Sequence, residues 1–160
     1  MKIKLTPEIS YVIGFWRKRR IFEGVGIRGD AEHLAIFTKE VLEKGLAETD
    51  KIQSSEDRVF FYHSAYRKFF QEIENDQLER FKYLNEYAAS YLAGMFDSVG
   101  GKTKDGEGLF LANGTREDEM LLLRLNFRAK KMGKQVFIYS KDEFWEFVGN
   151  YLQFYDKEGI

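Results

Sequence analysis

Cysteine is absent from the 160 residues, so neither a disulfide framework nor a thiolate metal site can be built. Histidine is nearly absent. His33 and His63 are too few for a histidine-rich metal centre and read as surface or hydrogen-bonding residues. No apolar run approaches the roughly 20 residues needed to cross a bilayer. The opening Met1-Lys2-Ile3-Lys4-Leu5-Thr6-Pro7 lacks the apolar stretch of a secretory signal. The expectation is a cytoplasmic protein with no membrane association, no bound metal and no cofactor. An excess of one charge is also missing. A formal net charge of −1 gives no global pull on a polyanion, so any nucleic-acid contact has to come from local patches. The single proline is Pro7, and no Gly-, Pro- or Ser-rich stretch marks a flexible linker.

What is present is a packed interior and two cationic clusters. Hydrophobic residues make up 44% and aromatics 16%, which is enough to bury a core rather than leave a disordered chain. Arg17-Lys18-Arg19-Arg20 forms one cluster. The stretch Leu121 to Lys134 forms the other, with five cations and no acid. Either could be a solvated face or a polyanion contact. Gly24-Val25-Gly26-Ile27-Arg28-Gly29 imitates a phosphate loop but lacks the Gly-Lys-Ser/Thr ending and the helix that would follow it.

Internal repetition organises the chain. Ser10-Tyr11-Val12-Ile13-Gly14-Phe15-Trp16 is matched 80 positions later by Ser90-Tyr91-Leu92-Ala93-Gly94-Met95-Phe96. Arg58 to His63 is matched in the same way by Gln135 to Ser140. Thr6-Pro7 starts a helix as N-cap and first helical residue. Ile21 to Asp30 reads as a strand or hairpin, and Asp30 caps a helix ending at Gly45. Strands near Ala47–Gln53 and Arg58–His63 precede a helix over Ser64–Asn75. The second half repeats the order. A helix runs from about Tyr83 to Ser98, then a hairpin turns at Lys104-Asp105-Gly106, and Thr115 with Asp118 caps the next helix. A hairpin pairs Phe127–Lys131 with Gln135–Tyr139, and Ser140 with Glu143 forms a capping box for the last helix. Each half reads helix, two strands, helix, two strands, helix. The expectation is an α+β fold of tandem αββαββα units, residues 1–76 and 83–160, in one body spanning residues 1–160.

The second repeat continues as Asp97-Ser98-Val99-Gly100-Gly101, and Leu92 to Gly100 resembles the nine-letter signature of the LAGLIDADG homing endonucleases. The resemblance implies a monomer with internal pseudo-twofold symmetry and antiparallel sheets that form a saddle on DNA. Its two signature helices would meet at Gly14, Ala93 and Gly94, and Ile13, which departs from the small second letter, would offset the first helix. The family's catalytic acid is the eighth letter. Here that position holds Val99 in one copy and Arg19 in the other, so no catalytic residue is carried over. Asp97 keeps the sixth letter, with a structural role implied.

Carried onto this sequence, the resemblance implies double-stranded DNA as partner. Arg17, Lys18, Arg19 and Arg20 would meet phosphate at the helix end. Arg28, Lys51, Gln53, Lys102, Lys104, Arg128 and Lys130 would face the groove from the strands. The implied function is DNA binding without cleavage, with a regulatory use like that of bacterial transcription regulators carrying a similarly degenerate domain. Two alternatives stay open at this point. One is a Mg2+-dependent endonuclease whose ligands are relocated to Glu23 or Asp97. The other is an interaction scaffold that has lost DNA.

Overall fold

The computed structural model describes residues 2–155. Its centre is a pair of helices, α1 (Pro7–Arg19) and α5 (Glu86–Val99), packed face to face. Thr6 caps α1 by accepting from the Ile9 amide at 3.1 Å, and Asn85 caps α5 through the Ala88 amide at 3.0 Å. Both helices are apolar nearly all round, as elements buried on several sides must be. Ser10 to Trp16 of α1 and Ala88 to Ser98 of α5 are buried.

The approach is set by Gly14 and Gly94. A Cβ at Gly14 would stand 2.2 Å from the Tyr91 carbonyl oxygen, and one at Gly94 would stand 2.1 Å from the Tyr11 carbonyl oxygen. Each glycine therefore receives the backbone of the opposite helix, which no side chain would permit. The two contacts are reciprocal and nearly equal. Ile13 is fully buried without lifting α1 away, so the expected offset is not seen.

Around this seam lie two antiparallel sheets. The first has the order β1 (Val25–Arg28), β3 (Arg58–Phe61), β2 (Gln53–Ser54), with Val25 opposite Phe61 and Arg28 opposite Arg58. The second has the order β4 (Gly100–Lys102), β5 (Leu109–Ala112), β7 (Gln135–Ile138), β6 (Ala129–Met132). Helices α2 (Ala31–Glu43), α3 (Ser64–Asn75), α6 (Arg116–Arg124) and α7 (Lys141–Val148) bury apolar residues in the common core, among them Phe37, Phe70, Leu121 and Phe144. A short α4 (Gln77–Arg80) links α3 to α5.

Of the strand or hairpin read over Ile21–Asp30, the strand forms as β1, with a bridge from Arg20 to Ile27 across the turn Ile21–Gly24. Two local expectations need correction. In the strand expected near Ala47–Gln53 only Gln53 is in a strand, as the first residue of β2, and the residues before it form a turn containing one 3-10 turn at Thr49–Lys51. Glu48, Thr49, Asp50 and Lys51 are all exposed and offer no alternating apolar face. The first sheet is therefore one strand short of the αββαββα pattern. At α7, Ser140 makes no capping bond, because its hydroxyl accepts from the Arg128 amide at 2.8 Å and tethers the start of β6. The caps at Asp30 and Thr115 form as read, the latter as a reciprocal box with Asp118.

Candidate nucleic-acid interface

The C-terminal ends of α1 and α5 open onto a cleft of about 830 Å3 lined by Arg19, Phe22, Arg28, Arg58 and Val99, among others. Arg19 crosses the seam. Its Nε donates to the Ser98 carbonyl oxygen at 2.7 Å, which satisfies one of the unpaired carbonyls at the end of α5. A cation there also suits the negative end of the helix dipole. Arg19 makes no ion pair among the described residues, so its charge faces the cleft uncompensated by a bonded carboxylate. Val99, the last residue of α5, contributes only an apolar wall.

Asp97 is occupied elsewhere. It is buried, and its carboxylate accepts from the Tyr11 hydroxyl at 2.6 Å, the Gln153 amide at 2.7 Å and the Tyr155 amide at 3.2 Å. Burial pushes its pKa above the ordinary aspartate value, although these donors pull it down. The Tyr11 hydroxyl is pushed up as well, by burial and then by the neighbouring Asp97 charge. The residue joins α1, α5 and the segment after α7. The Asp97 carbonyl oxygen meets His33 Nε2 at 3.0 Å, while His33 Nδ1 lies 2.8 Å from Asp30. Of the surface or hydrogen-bonding roles read from the sequence, His33 has the second, as a buried hydrogen-bonding residue.

The four-cation run divides by direction, which corrects the reading of all four as outward phosphate contacts. The Arg17 and Lys18 side chains are only 8% and 4% exposed. Arg17 pairs with Glu74 of α3 and Asp118 of α6, and Lys18 pairs with Asp118 and donates to the Asn113 carbonyl. Burial alone would push the Asp118 carboxyl up, but Arg17 and Lys18 overcome this and hold it below the ordinary aspartate range. Burial draws the Lys18 ammonium down, only partly offset by Asp118. Arg20 does reach solvent, beside Glu74 and stacked over Trp16 at 5.0 Å.

On the sheets, residues directly opposite one another share a face. Arg28 and Arg58 are such a pair and form a guanidinium patch, Arg28 exposed and Arg58 half-buried, moderated by Asp57 and Glu23. Gln53 is exposed on β2, whereas Lys51 sits on the turn before it and off the sheet. In the second sheet Gly101, Phe110, Phe137 and Lys130 lie in one row, and Arg128 falls on the same side by alternation. Arg128 and Lys130 are exposed and make no ion pair among the described residues. Lys102 falls in the adjacent row, opposite Leu109, and is exposed at the β4 edge, while Lys104 is exposed in the β4–β5 turn. The structure therefore brings Arg19 and Arg28 together at the cleft and sets Arg128 with Lys130 on the second sheet. The sequence reading missed Arg58 and Phe22, which no local pattern marks and which only the fold brings to the cleft.

No family model matches the sequence, and no curated protein matches it. Solved structures do. A structure of mesophilic variants of the homing endonuclease I-DmoI superposes with a TM-score of 0.59 at 15% identity, covering 91% of this chain and 96% of that one. I-DmoI in complex with DNA and Ca gives 0.58 at 18% identity over 90% and 88% of the two chains. The fold is that of the LAGLIDADG homing endonucleases. It is shared too by the N-terminal LAGLIDADG domain of DUF199/WhiA, with a TM-score of 0.60 at 14% identity over 92% and 86% of the chains.

I-DmoI structures have been obtained with Ca, Mg and Mn, so a divalent ion is the group to test against this site. The residues at the helix ends here do not fit one. Arg19 repels a cation and Val99 has no donor atom, while Asp97 is buried and saturated with donors. Glu23 is engaged by Arg58 at 3.1 Å. Among the described residues no three Asp, Glu or His side chains converge on a point that could hold a metal.

Proposed function

We propose that this chain binds double-stranded DNA without cutting it. The observation that carries the reading is Arg19 reaching across the seam to the Ser98 carbonyl. A fixed positive charge stands at the helix ends of a LAGLIDADG-like fold, where carboxylates would have to gather a metal ion. Phosphate is the natural counter-charge for that site, and Arg28 and Arg58 extend it onto the first sheet. Arg128 and Lys130, on the open row of the second sheet, suit the reading of base edges in a major groove. The four groove and phosphate contacts we retain from the sequence on the first repeat are Arg19, Arg20, Arg28 and Gln53. Lys104 serves at the rim of the second, whereas Lys102, opposite the buried Leu109, falls on the other face of the sheet and is not retained. Arg17 and Lys18 position the helix end instead of touching DNA. The protein acts as a monomer whose two repeats, residues 1–76 and 83–160, straddle the duplex, and its use is regulatory.

The reading supports three outcomes. Duplex affinity should fall steeply between low and moderate salt and should be unaffected by EDTA, with no nicking of supercoiled plasmid in Mg2+ or Mn2+. Metal-dependent cuts would instead select the endonuclease alternative, and a lack of salt-sensitive binding would select the scaffold. The double variant Arg19→Ala/Arg28→Ala should weaken binding to all sequences alike and shrink the log K against log salt slope by about 2, about one per lost phosphate contact. Fluorescence anisotropy over a salt series measures it. Arg128→Ala should cost about 1–3 kcal/mol on the preferred site and relax base preference at one position, read by selection from a randomised duplex pool.

A further inference from the structure

Phe22 is the most exposed large apolar side chain among the described residues, at 92% of its full accessibility. A lone exposed apolar residue needs no explanation, but the position of this one does. It sits in the turn between α1 and β1, on the lining of the cleft at the helix ends. Ile21 and Glu23 flank it in sequence, and Arg19, Arg20, Arg28 and Arg58 line the same cleft. Among the described residues no ring contact involves Phe22, whereas Trp16 of α1 meets Phe70 edge-on and lies under Arg20. The turn is anchored on both sides. The Ile21 amide donates to the Gly26 carbonyl at 3.1 Å, and Arg58 grips Glu23 at 3.1 Å. The ring is therefore presented on a braced support, in a cleft whose lining also carries Arg19, Arg20, Arg28 and Arg58.

An aromatic ring held out of a cationic cleft has one use that the rest of this surface lacks. We infer that Phe22 is a wedge that enters between two stacked base pairs and kinks the duplex bound over the cleft. The inference rests on the DNA-binding reading above and deepens it. Apolar wedges act where surrounding cations hold the backbone, and the unstacking they impose is repaid by the added contact of a bent duplex. The cost is lowest at flexible pyrimidine–purine steps such as TA, so the wedge would also make those steps preferred without any hydrogen bond to a base.

The test uses the full chain and two duplexes of mixed sequence, one with several TA steps whose adenine is 2-aminopurine and one with the same fluorophore only in purine–purine steps. Protein is added to saturation, with occupancy followed by anisotropy on the same samples. The expected result is a rise in 2-aminopurine emission of about twofold or more on the TA duplex, as the base leaves the stack. It should be lost in Phe22→Ala and largely kept in Phe22→Leu. The affinity of Phe22→Ala should drop on the order of tenfold. Saturated binding with no emission change, or an undiminished change in Phe22→Ala, overturns the wedge while leaving DNA binding intact. That outcome would leave the exposed ring as a contact for a protein partner. Absence of any duplex binding overturns the DNA-binding reading and the wedge together.

Discussion

Gly94→Val is expected to destabilise the fold by about 3 kcal/mol, near the upper end of what overpacking costs. The new Cβ alone would lie 2.1 Å from the Tyr11 carbonyl oxygen and 2.9 Å from the Phe15 amide nitrogen, both backbone atoms that cannot rotate away. Relief requires α1 and α5 to separate, and the two helices carry much of the buried core, including Tyr11, Phe15, Tyr91 and Phe96. The urea midpoint should therefore fall, with little change in the slope of the transition. Gly14→Ala should act in the same direction, since its Cβ meets the Tyr91 carbonyl at 2.2 Å. The double variant should cost less than the sum, because one separation of the helices relieves both contacts. A Gly94→Val protein with an unshifted midpoint would show that the helices are not in backbone contact.

Asp118→Ala should cost about 3–5 kcal/mol, the range for stripping the partner from buried charges. Its carboxylate is fully buried and neutralises both Arg17 and Lys18, so the variant leaves two nearly buried cations with Glu74 as the remaining acid. The same residue closes the capping box of α6 through the Thr115 amide at 2.8 Å, and that bond is lost too. The sign of the pH dependence follows from the depressed pKa of Asp118. Its contribution is fully present above the unfolded value of about 3.9 and is lost as pH falls through the lower folded value. The difference in stability between the wild type and Asp118→Asn should therefore narrow on acidification below about pH 4. Chemical denaturation at stepped pH measures it. A difference that widens in acid would contradict the assignment of Asp118 as the neutralising group.

Features set by short-range pattern were legible in the sequence. The recurrence of Gly14 at Gly94 announced the seam, because a glycine in a helix interior is unfavourable unless something must come close. Thr6, Asp30 and Thr115 announced helix starts, since each cap bond spans only three residues. Features set by long-range charge pairing were not legible. Arg17 read as an outward cation because its partners Glu74 and Asp118 lie 57 and 101 positions away, and no local pattern joins them. Ser140 failed as a cap for a related reason, as its hydroxyl is used across the strand pair by the Arg128 amide. At the cleft, Arg19 and Val99 were found by their letters in a motif. Arg58 and Phe22 had no motif to carry them, and only the fold brings them to that place.

The unequal sheets bear on the kind of site such a protein would choose. The first sheet has three strands, one of them two residues long, while the second has four and carries Arg128 and Lys130 on its outer row. Guanidiniums on the first sheet are also tempered by Asp57 and Glu23, whereas Arg128 and Lys130 on the second make no ion pair among the described residues. A duplex laid across both would be interrogated base by base on one flank and merely gripped on the other. The preferred sequence should accordingly be lopsided, with its information concentrated in one half-site and no palindrome.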